Sequence, residues 1–528
     1  MNKIKLLFVV TVFAISAVKS EAQQLLDNRI DSIIGLMTDQ EKIDQMINNA
    51  FGTTPTISRL KIPGFNLCDG PPGVRNGRHS TFPVGMAMAA TWDEDILLKV
   101  GRAMGEEFWA NGYNQQLGPC IDLCRDPRAG RAAESAGEDP FLSGHVGAAL
   151  NTGVQTTPVI ATIKHFMVES KQSNRNTCNE VFTERLMQEH YGYNFRYAIQ
   201  KSGVLSVMDA YNLINDVHCT ENDTLLRVTL RERWGFPFYV VSDWASIYDS
   251  KKAVEAGTDI CMGSNNYKND LPALVSSGSL SKASLNNAVS HILKTKILSG
   301  MMDYYPTGDK ALANSTGHVQ VALECARKSV VLLKNQDSIL PINKNTVTKI
   351  ALIGPNAVRG NLNCWGSSEV FPPYSVGILK GIQNKIGTTK VSYLKGCDIN
   401  STSETGFSAA LALAKTADYV IFAAGLDSTQ EGEAYGIGND RKTKSIDLPG
   451  KQMTLITQLA AVNPNIIVVV QSGGVCGLNT CLNNIKGLLY AFYTGQEGGN
   501  AVADILFGDV NPSGRMPVTM PKSDSQLP

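Results

Sequence analysis

Phe238-Tyr239-Val240-Val241 is an unbroken run of large β-favouring residues that stops at Ser242-Asp243-Trp244. Four such residues in succession suit a strand buried on both faces, as in a parallel sheet covered by helices. Asp243 then stands at the C-terminal end of that strand. In a barrel of alternating strands and helices that end carries the chemistry. A carboxylate there can act as nucleophile or base, and the Trp244 indole can wall a sugar ring. Taken alone, the same residues also describe an Asp that caps the following helix, a common arrangement at strand-to-helix junctions.

The surroundings of this strand repeat its pattern. A strand over 158–163 runs into Lys164-His165-Phe166, and a long amphipathic helix is expected over 179–202. A strand over 204–208 then runs into Asp209-Ala210-Tyr211-Asn212. A helix over 225–234 precedes the Asp243 strand, and a helix over 246–256 and a strand over 258–262 follow it. Upstream, 25–48 has helical spacing, with Thr38-Asp39-Gln40-Glu41 as a helix start. This rhythm predicts a parallel α/β fold. Polar and aromatic residues fall just after the strands, which favours a barrel with one site on its rim; a doubly wound open sheet is the competing architecture.

A helix over 281–302 closes this region, and 303–309, with Pro306 and Gly308, reads as a linker. A second α/β unit follows, with strands expected over 329–333, 349–353, 419–424, 465–470 and 487–492. Ser472-Gly473-Gly474 follows a strand as a phosphate loop would. It lacks a nearby Lys and a GxGxxG pattern, so a plain turn is the expectation.

The 528 residues suit two or three domains, and Lys+Arg and Asp+Glu balance at 48 each, which gives no sign of a nucleic-acid surface. Residues 1–22 have the form of a secretory signal: Lys3 and Lys5, an apolar core over 6–15, and small residues at Ser20 and Ala22. A secreted or periplasmic product is expected, with no membrane span. The eleven cysteines follow no zinc-type ladder. A disulfide is compatible with the compartment, but most of these cysteines read as small buried hydrophobes.

Motifs spread along the chain now combine. They are Asp69-Gly70-Pro71-Pro72-Gly73-Val74-Arg75; Arg125-Asp126-Pro127-Arg128-Ala129-Gly130-Arg131 running to Glu134 and Gly137-Glu138-Asp139-Pro140; Lys164-His165-Phe166; Ser206-Val207-Met208 before Tyr211-Asn212; and Val241-Ser242-Asp243-Trp244. Later come Gly425-Leu426-Asp427, Glu431 and Glu433 before Asp440-Arg441, Leu448-Pro449-Gly450, Gly495-Gln496-Glu497-Gly498-Gly499 and 511–519. In this order the set resembles glycoside hydrolase family 3, the β-glucosidase and β-xylosidase group. The resemblance implies a TIM-like (β/α)8 barrel over 23–302, a linker over 303–318 and an α/β sandwich over 319–528. It also implies a retaining β-glycosidase that needs no metal or cofactor, acting on a β-linked oligosaccharide. The chain ends where many relatives continue, so no C-terminal fibronectin-like domain is expected.

By the same resemblance Asp243 is the nucleophile, and Asp69, Arg131, Lys164, His165, Met208, Tyr211 and Trp244 line the sugar subsite. The acid/base is a Glu shortly before Asp440-Arg441. Both Glu433 and Glu431 qualify, because 434–439 reads as an insertion that blurs the count; Glu433 is the preferred choice. A β-xylosidase or arabinofuranosidase is the rival activity, and a sugar-binding protein without catalysis the rival class. Two departures stand out. Many relatives follow Lys-His-Phe with two small residues and Asn, where this chain has Met167-Val168-Glu169. Asp209-Ala210 precedes Tyr211 where Ser or Cys is commoner.

Overall fold

The computed structural model describes residues 21–48, 52–433 and 440–527. The expected signal segment lies outside the described residues except for Glu21 and Ala22, which open a helix over 21–36. The insertion over 434–439 also lies outside them. The chain forms two compact units, one drawn from 1–65 and 220–305, the other from 66–219 and 306–528. Among the described residues no helix is long and apolar enough to cross a membrane. All eleven cysteines are free, and all but Cys178 are buried.

The smaller unit holds the strand that the sequence singles out, Tyr239–Val241, fully buried. It makes a parallel bridge from Val241 to Ile260, and Ile47–Asn48 pairs in parallel with Cys261–Met262. Asp259 fixes this region: one carboxylate oxygen accepts from the Val240 N–H at 2.8 Å and from Arg231 at 2.6 Å, and the other meets His291 at 3.0 Å. The helix expected over 25–48 is two helices, because Thr38 starts a new one at Asp39–Gln45 through a reciprocal capping box with Glu41. Asp249 and Ser281 likewise cap Ser250–Ala256 and Lys282–Leu298. At Thr224–Arg233 the helix takes wide i→i+5 turns.

In the larger unit, Leu67–Asp69, Gln115–Leu117, Ile160–Phe166 and Ser206–Asp209 pair successively in parallel. The register slips between Ile163 and Phe166, the stretch that carries Lys164 and His165. The helices Glu94–Ala110 and Pro140–Val154 accompany these strands, with Asp93 and Asp139 as N-caps. A six-stranded sheet occupies the C-terminal half, in the spatial order Val331–Asn335, Gly487–Tyr490, Ile466–Gln471, Tyr419–Gly425, Ile350–Ile353, Val391–Leu394. Every pairing is parallel except that of the Val331–Asn335 edge. Both faces are covered, so alternate residues enter different cores. Val420, Phe422, Val468 and Val470 pack on one side, Ile421, Ala423, Ile467 and Val469 on the other. That is why these strands read as continuous apolar runs rather than alternating ones.

A further expectation is corrected. Residues 179–202 are not a single helix: Asn179–Glu180 is a strand paired with Leu213–Ile214, and the helix begins only after Thr183, whose hydroxyl caps the Leu186 N–H. The Asn179 amide donates to Asp216 and accepts from the Asp216 N–H, while Phe182 N–H donates to the Asn215 side chain. These local side-chain bonds outbid helix formation.

Candidate active site

In the larger unit most of the polar residues singled out by sequence gather where strands end. Asp69 closes Leu67–Asp69, and Lys164 and His165 lie in Ile160–Phe166. Lys164 Nζ is 3.5 Å from one Asp69 oxygen, and Arg75 is 3.6 Å from the other. The His165 ring meets buried Asp122 at 2.7 Å, and its backbone N–H donates to the same carboxylate oxygen. Burial, followed by the charges of Arg131, Lys164 and Arg175, pushes the imidazole well below its usual range. Burial and then the charge of Glu169 push Asp122 up to about 8. Both shifts favour a neutral imidazole held in place by Asp122.

Arg131 lies on a turn over 129–135 and grips Glu134 with two bonds of 2.8 Å. The remaining face of its guanidinium points at two more carboxylates, Glu169 at 3.4 Å and Glu433 at 3.9 Å. Arg175, which no motif flagged, completes the cluster. One of its terminal nitrogens donates to Glu433 at 3.1 Å, to Glu169 at 3.2 Å and to Gln172 at 3.0 Å. Its guanidinium lies 3.9 Å from the centre of the Tyr211 ring, a cation–π contact that seats the arginine. Met208 is buried within Ser206–Asp209. Cys120, Asp122, Arg131, His165, Glu169 and Gln172 line one small cavity.

The two glutamates that sequence left open have separate environments. Glu433 lies on the loop after Tyr419–Gly425, where Gly432 bridges Trp365 in parallel. Its N–H donates to the Trp365 carbonyl at 2.9 Å, and its carboxylate accepts from the Ser367 N–H at 2.8 Å. The approach requires glycine at 366: φ there is +130°, and a Cβ would meet the Glu433 carboxylate at 2.8 Å. Burial disfavours ionisation of Glu433, but Arg131, Arg175 and the Ser367 N–H outweigh it and hold the carboxyl well below the usual range. Glu431 is 1% exposed and turned elsewhere. One oxygen accepts from Tyr493 Oη and from the Gly473 N–H, both at 2.6 Å; the other is 3.7 Å from buried Arg441. Burial pushes this carboxyl up against those contacts. The Ser472-Gly473-Gly474 turn thus serves a carboxylate of its own chain.

In the smaller unit Asp243 follows the strand Tyr239–Val241 and is buried. Its carboxylate accepts from the Trp244 N–H at 2.6 Å, and its carbonyl accepts from the hydroxyls of Ser242 and Ser246 at 2.9 and 3.0 Å. Ala245 takes a left-handed turn, with φ +57°. Ala245 N–H donates to the Met262 carbonyl, and Met262 N–H to the Ser242 hydroxyl. The turn is therefore tied down through its backbone, and Asp243 is not the cap of a helix; Asp249 caps the helix that follows. Trp244 is 40% exposed, and its indole lies where a Cβ on Gly263 would stand, 2.4 Å away.

Among the described residues of the larger unit, Cys120, Asp122 and His165 present atoms close enough together to hold a metal. Their mutual hydrogen bonds account for that grouping: Cys120 Sγ and the His165 ring both point to the same Asp122 oxygen. Sequence reasoning missed Arg175, Ser367 and Asp122. Arg175 had a weak signal, since a cluster of buried carboxylates requires more cations than Arg131 alone.

Each unit thus carries a buried carboxylate beside the end of a parallel strand, Asp243 after Tyr239–Val241 and Glu433 after Tyr419–Gly425. Residues 1–295 match the Glycosyl hydrolase family 3 N terminal domain, and residues 330–528 match the Glycosyl hydrolase family 3 C-terminal domain. The chain belongs to glycosyl hydrolase family 3 and is a glycoside hydrolase. It is 32% identical to a beta-xylosidase of Formosa agariphila, over 97% of this chain and 75% of that one. It is 34% identical to thermostable beta-glucosidase B of Acetivibrio thermocellus, over 94% and 67% of the two chains. Among solved structures, beta-glucosidase 3B from Thermotoga neapolitana in complex with alpha-D-glucose superposes with a TM-score of 0.85 at 29% identity, covering 94% of this chain and 76% of that one.

Proposed function

We propose that the chain is a secreted, retaining, exo-acting β-glycosidase that releases terminal non-reducing β-D-glucose from oligosaccharides. The proposal includes a TIM-like barrel over 23–302, a linker over 303–318 and an α/β sandwich over 319–528. The observation that carries it is the environment of Glu433, a buried carboxylate presented by two guanidiniums and a backbone N–H. Retention uses one carboxylate as nucleophile and a second as acid, then base, about 5 Å away across the anomeric carbon. Asp243 attacks that carbon while Glu433 gives a proton to the departing oxygen. Glu433, ionised again, then takes a proton from the water that releases the sugar. Asp69, Lys164 and Arg131 accept from and donate to the hydroxyls of the terminal sugar. His165, Met208 and Tyr211 shape that pocket, and Trp244 walls one face of the ring.

A second reading is a β-xylosidase, favoured by the likeness to the Formosa agariphila protein. Purified protein should be assayed with aryl β-glucoside and aryl β-xyloside. Higher kcat/KM on the glucoside supports the first reading, and the reverse supports the second. No turnover of either would leave a sugar-binding protein and sink both.

A further inference from the structure

Asp440 has no part in the chemistry above, yet it joins the segments that perform it. The side chain is half-buried, and its carboxylate is engaged by backbone. One oxygen accepts from the Gly130 N–H at 3.1 Å and from the Gln172 N–H at 2.9 Å; the other accepts from the Ser173 N–H at 3.1 Å. The backbone beside it is fixed as well. Arg441 N–H donates to the Arg128 carbonyl at 2.6 Å, and Lys442 N–H donates to the Gln430 carbonyl at 2.9 Å. Three stretches of chain therefore meet at this residue: the turn that bears Arg131, the segment that bears Arg175 and the loop that bears Glu433.

Two of the three carboxylate bonds fall on the Arg175 segment. Gln172 and Ser173 open a turn in which Asn174 is left-handed, with φ +57°, and the Arg175 N–H reaches back to the Gln172 carbonyl at 3.4 Å. The Gln172 amide oxygen accepts from an Arg175 guanidinium nitrogen at 3.0 Å, and the same nitrogen donates to Glu433 at 3.1 Å. A path of bonds thus leads from Asp440 through Gln172 to Arg175 and on to Glu433. Arg131 depends on it less, because Glu134 grips that guanidinium with two bonds. A carboxylate suits this hub. Bonds to an ionised acceptor are roughly twice as strong as neutral ones, and both of its oxygens accept. Asparagine offers one oxygen and turns an amide NH2 toward the remaining donor.

We infer that Asp440 is a positioning residue: it seats the turn that carries Arg175 and so holds that guanidinium against Glu433 for the second half of the reaction. In that half the water oxygen bonds to the anomeric carbon as the glycosyl-enzyme ester breaks. The water proton passes to Glu433, which has to be ionised to receive it. A misplacement of about 1 Å at such a contact costs on the order of 10²-fold in rate, so the seat of Arg175 matters to this step. The inference rests on Glu433 being the acid/base.

The test compares Asp440→Ala and Asp440→Asn with the wild type and Glu433→Ala in the full chain, on the 2,4-dinitrophenyl β-glucoside or β-xyloside, whichever sugar the enzyme prefers. This aglycone leaves without a proton, so kcat/KM reports the first step and kcat reports breakdown of the glycosyl-enzyme. In Asp440→Ala kcat should fall by about tenfold and KM should fall with it, while kcat/KM changes by less than about threefold. Azide attacks without a base and should restore kcat. Asp440→Asn keeps an acceptor for Gly130 and Gln172 and should lose less; it also serves if the alanine variant fails to fold. An unchanged kcat, or an equal loss of kcat and kcat/KM that azide does not relieve, overturns the inference. Glu433→Ala should show the same split more strongly. If it does not, the acid/base lies elsewhere and the inference falls with that reading.

Discussion

Glu431 and Glu433 stand two residues apart, and their substitution should fail in opposite ways. Among the described residues, Glu431→Gln removes the only carboxylate within 4 Å of Arg441, a side chain that is itself 1% exposed. The Arg441 guanidinium keeps bonds to the carbonyls of Val475, Ile446 and Pro127. Its terminal nitrogens stay hydrogen-bonded while its charge loses its partner. Breaking a buried pair in this way costs about 3–5 kcal/mol. An amide at 431 still accepts from Tyr493 and Gly473; alanine does not, and each orphaned donor adds about 1–2 kcal/mol. At roughly 3 °C per kcal/mol for a domain of this size, Tm should fall by about 10 °C in Glu431→Gln and further in Glu431→Ala. Glu433→Gln leaves Arg131 and Arg175 in contact with Glu134 and Glu169, so the loss there should stay near 1–2 kcal/mol. Calorimetry gives the stabilities, and kinetics well below each Tm give the chemistry. Glu433→Ala should slow disaccharides severely and activated aryl glycosides far less, and azide should restore turnover as a β-glycosyl azide. Folded Glu431 variants should keep the wild-type leaving-group dependence. Wild-type Tm in Glu431→Ala together with azide rescue would refute the assignment of one glutamate to the framework and the other to the reaction.

Other outcomes follow from the same contacts. Asp243→Asn should abolish nearly all turnover without a loss of Tm above a few degrees, and a 2-fluoro-glycoside should label the wild type at Asp243; a label on another residue would falsify the nucleophile. Activity should survive exhaustive chelation, and a rate that falls on chelation and returns with added metal would count against a purely carboxylate mechanism. Lys296 is buried, with Nζ donating to Gln45 at 2.5 Å and to the Pro63 carbonyl at 2.6 Å, and burial lowers its pKa to about 7. The folded value lies below the unfolded one, so the unfolded chain binds the extra proton between about pH 7 and pH 10. Stability should therefore rise across that window relative to Lys296→Met; parallel Tm–pH curves for the two proteins would show the reasoning wrong.

Much of this was legible in the residues, for reasons that differ from place to place. Tyr239–Val241 and the central strands of the C-terminal sheet could be read because burial on both faces leaves no choice but apolar side chains. Leu67–Asp69 and Gln115–Leu117 could not: each is three residues long, and Gln115 and Gln116 are buried polar residues whose amides donate to Thr162 and Gly70, distant in sequence. Periodicity suggests a helix over 179–202 because it does not register the bonds that Asn179, Thr183 and Asn215 make to nearby backbone and side chains. Site residues with a motif, such as Asp69, Arg131 and Lys164, lie where strands or turns present them. Arg175 has no such motif; its role comes from the carboxylates around it. The Glu431–Glu433 ambiguity could not be settled by counting, because the distinction lies in which buried cation each one meets.

That distinction also shows what burial does and does not do at this site. For both glutamates burial is the largest influence, and in both it opposes ionisation. Glu431 meets one guanidinium, at 3.7 Å, whose donors are largely taken by carbonyls, and its carboxyl is pushed above the usual range. Glu433 meets two, one of them at hydrogen-bond distance, and ionisation prevails. A glutamate held ionised is the right form for drawing a proton from water and the wrong form for giving one to a leaving group.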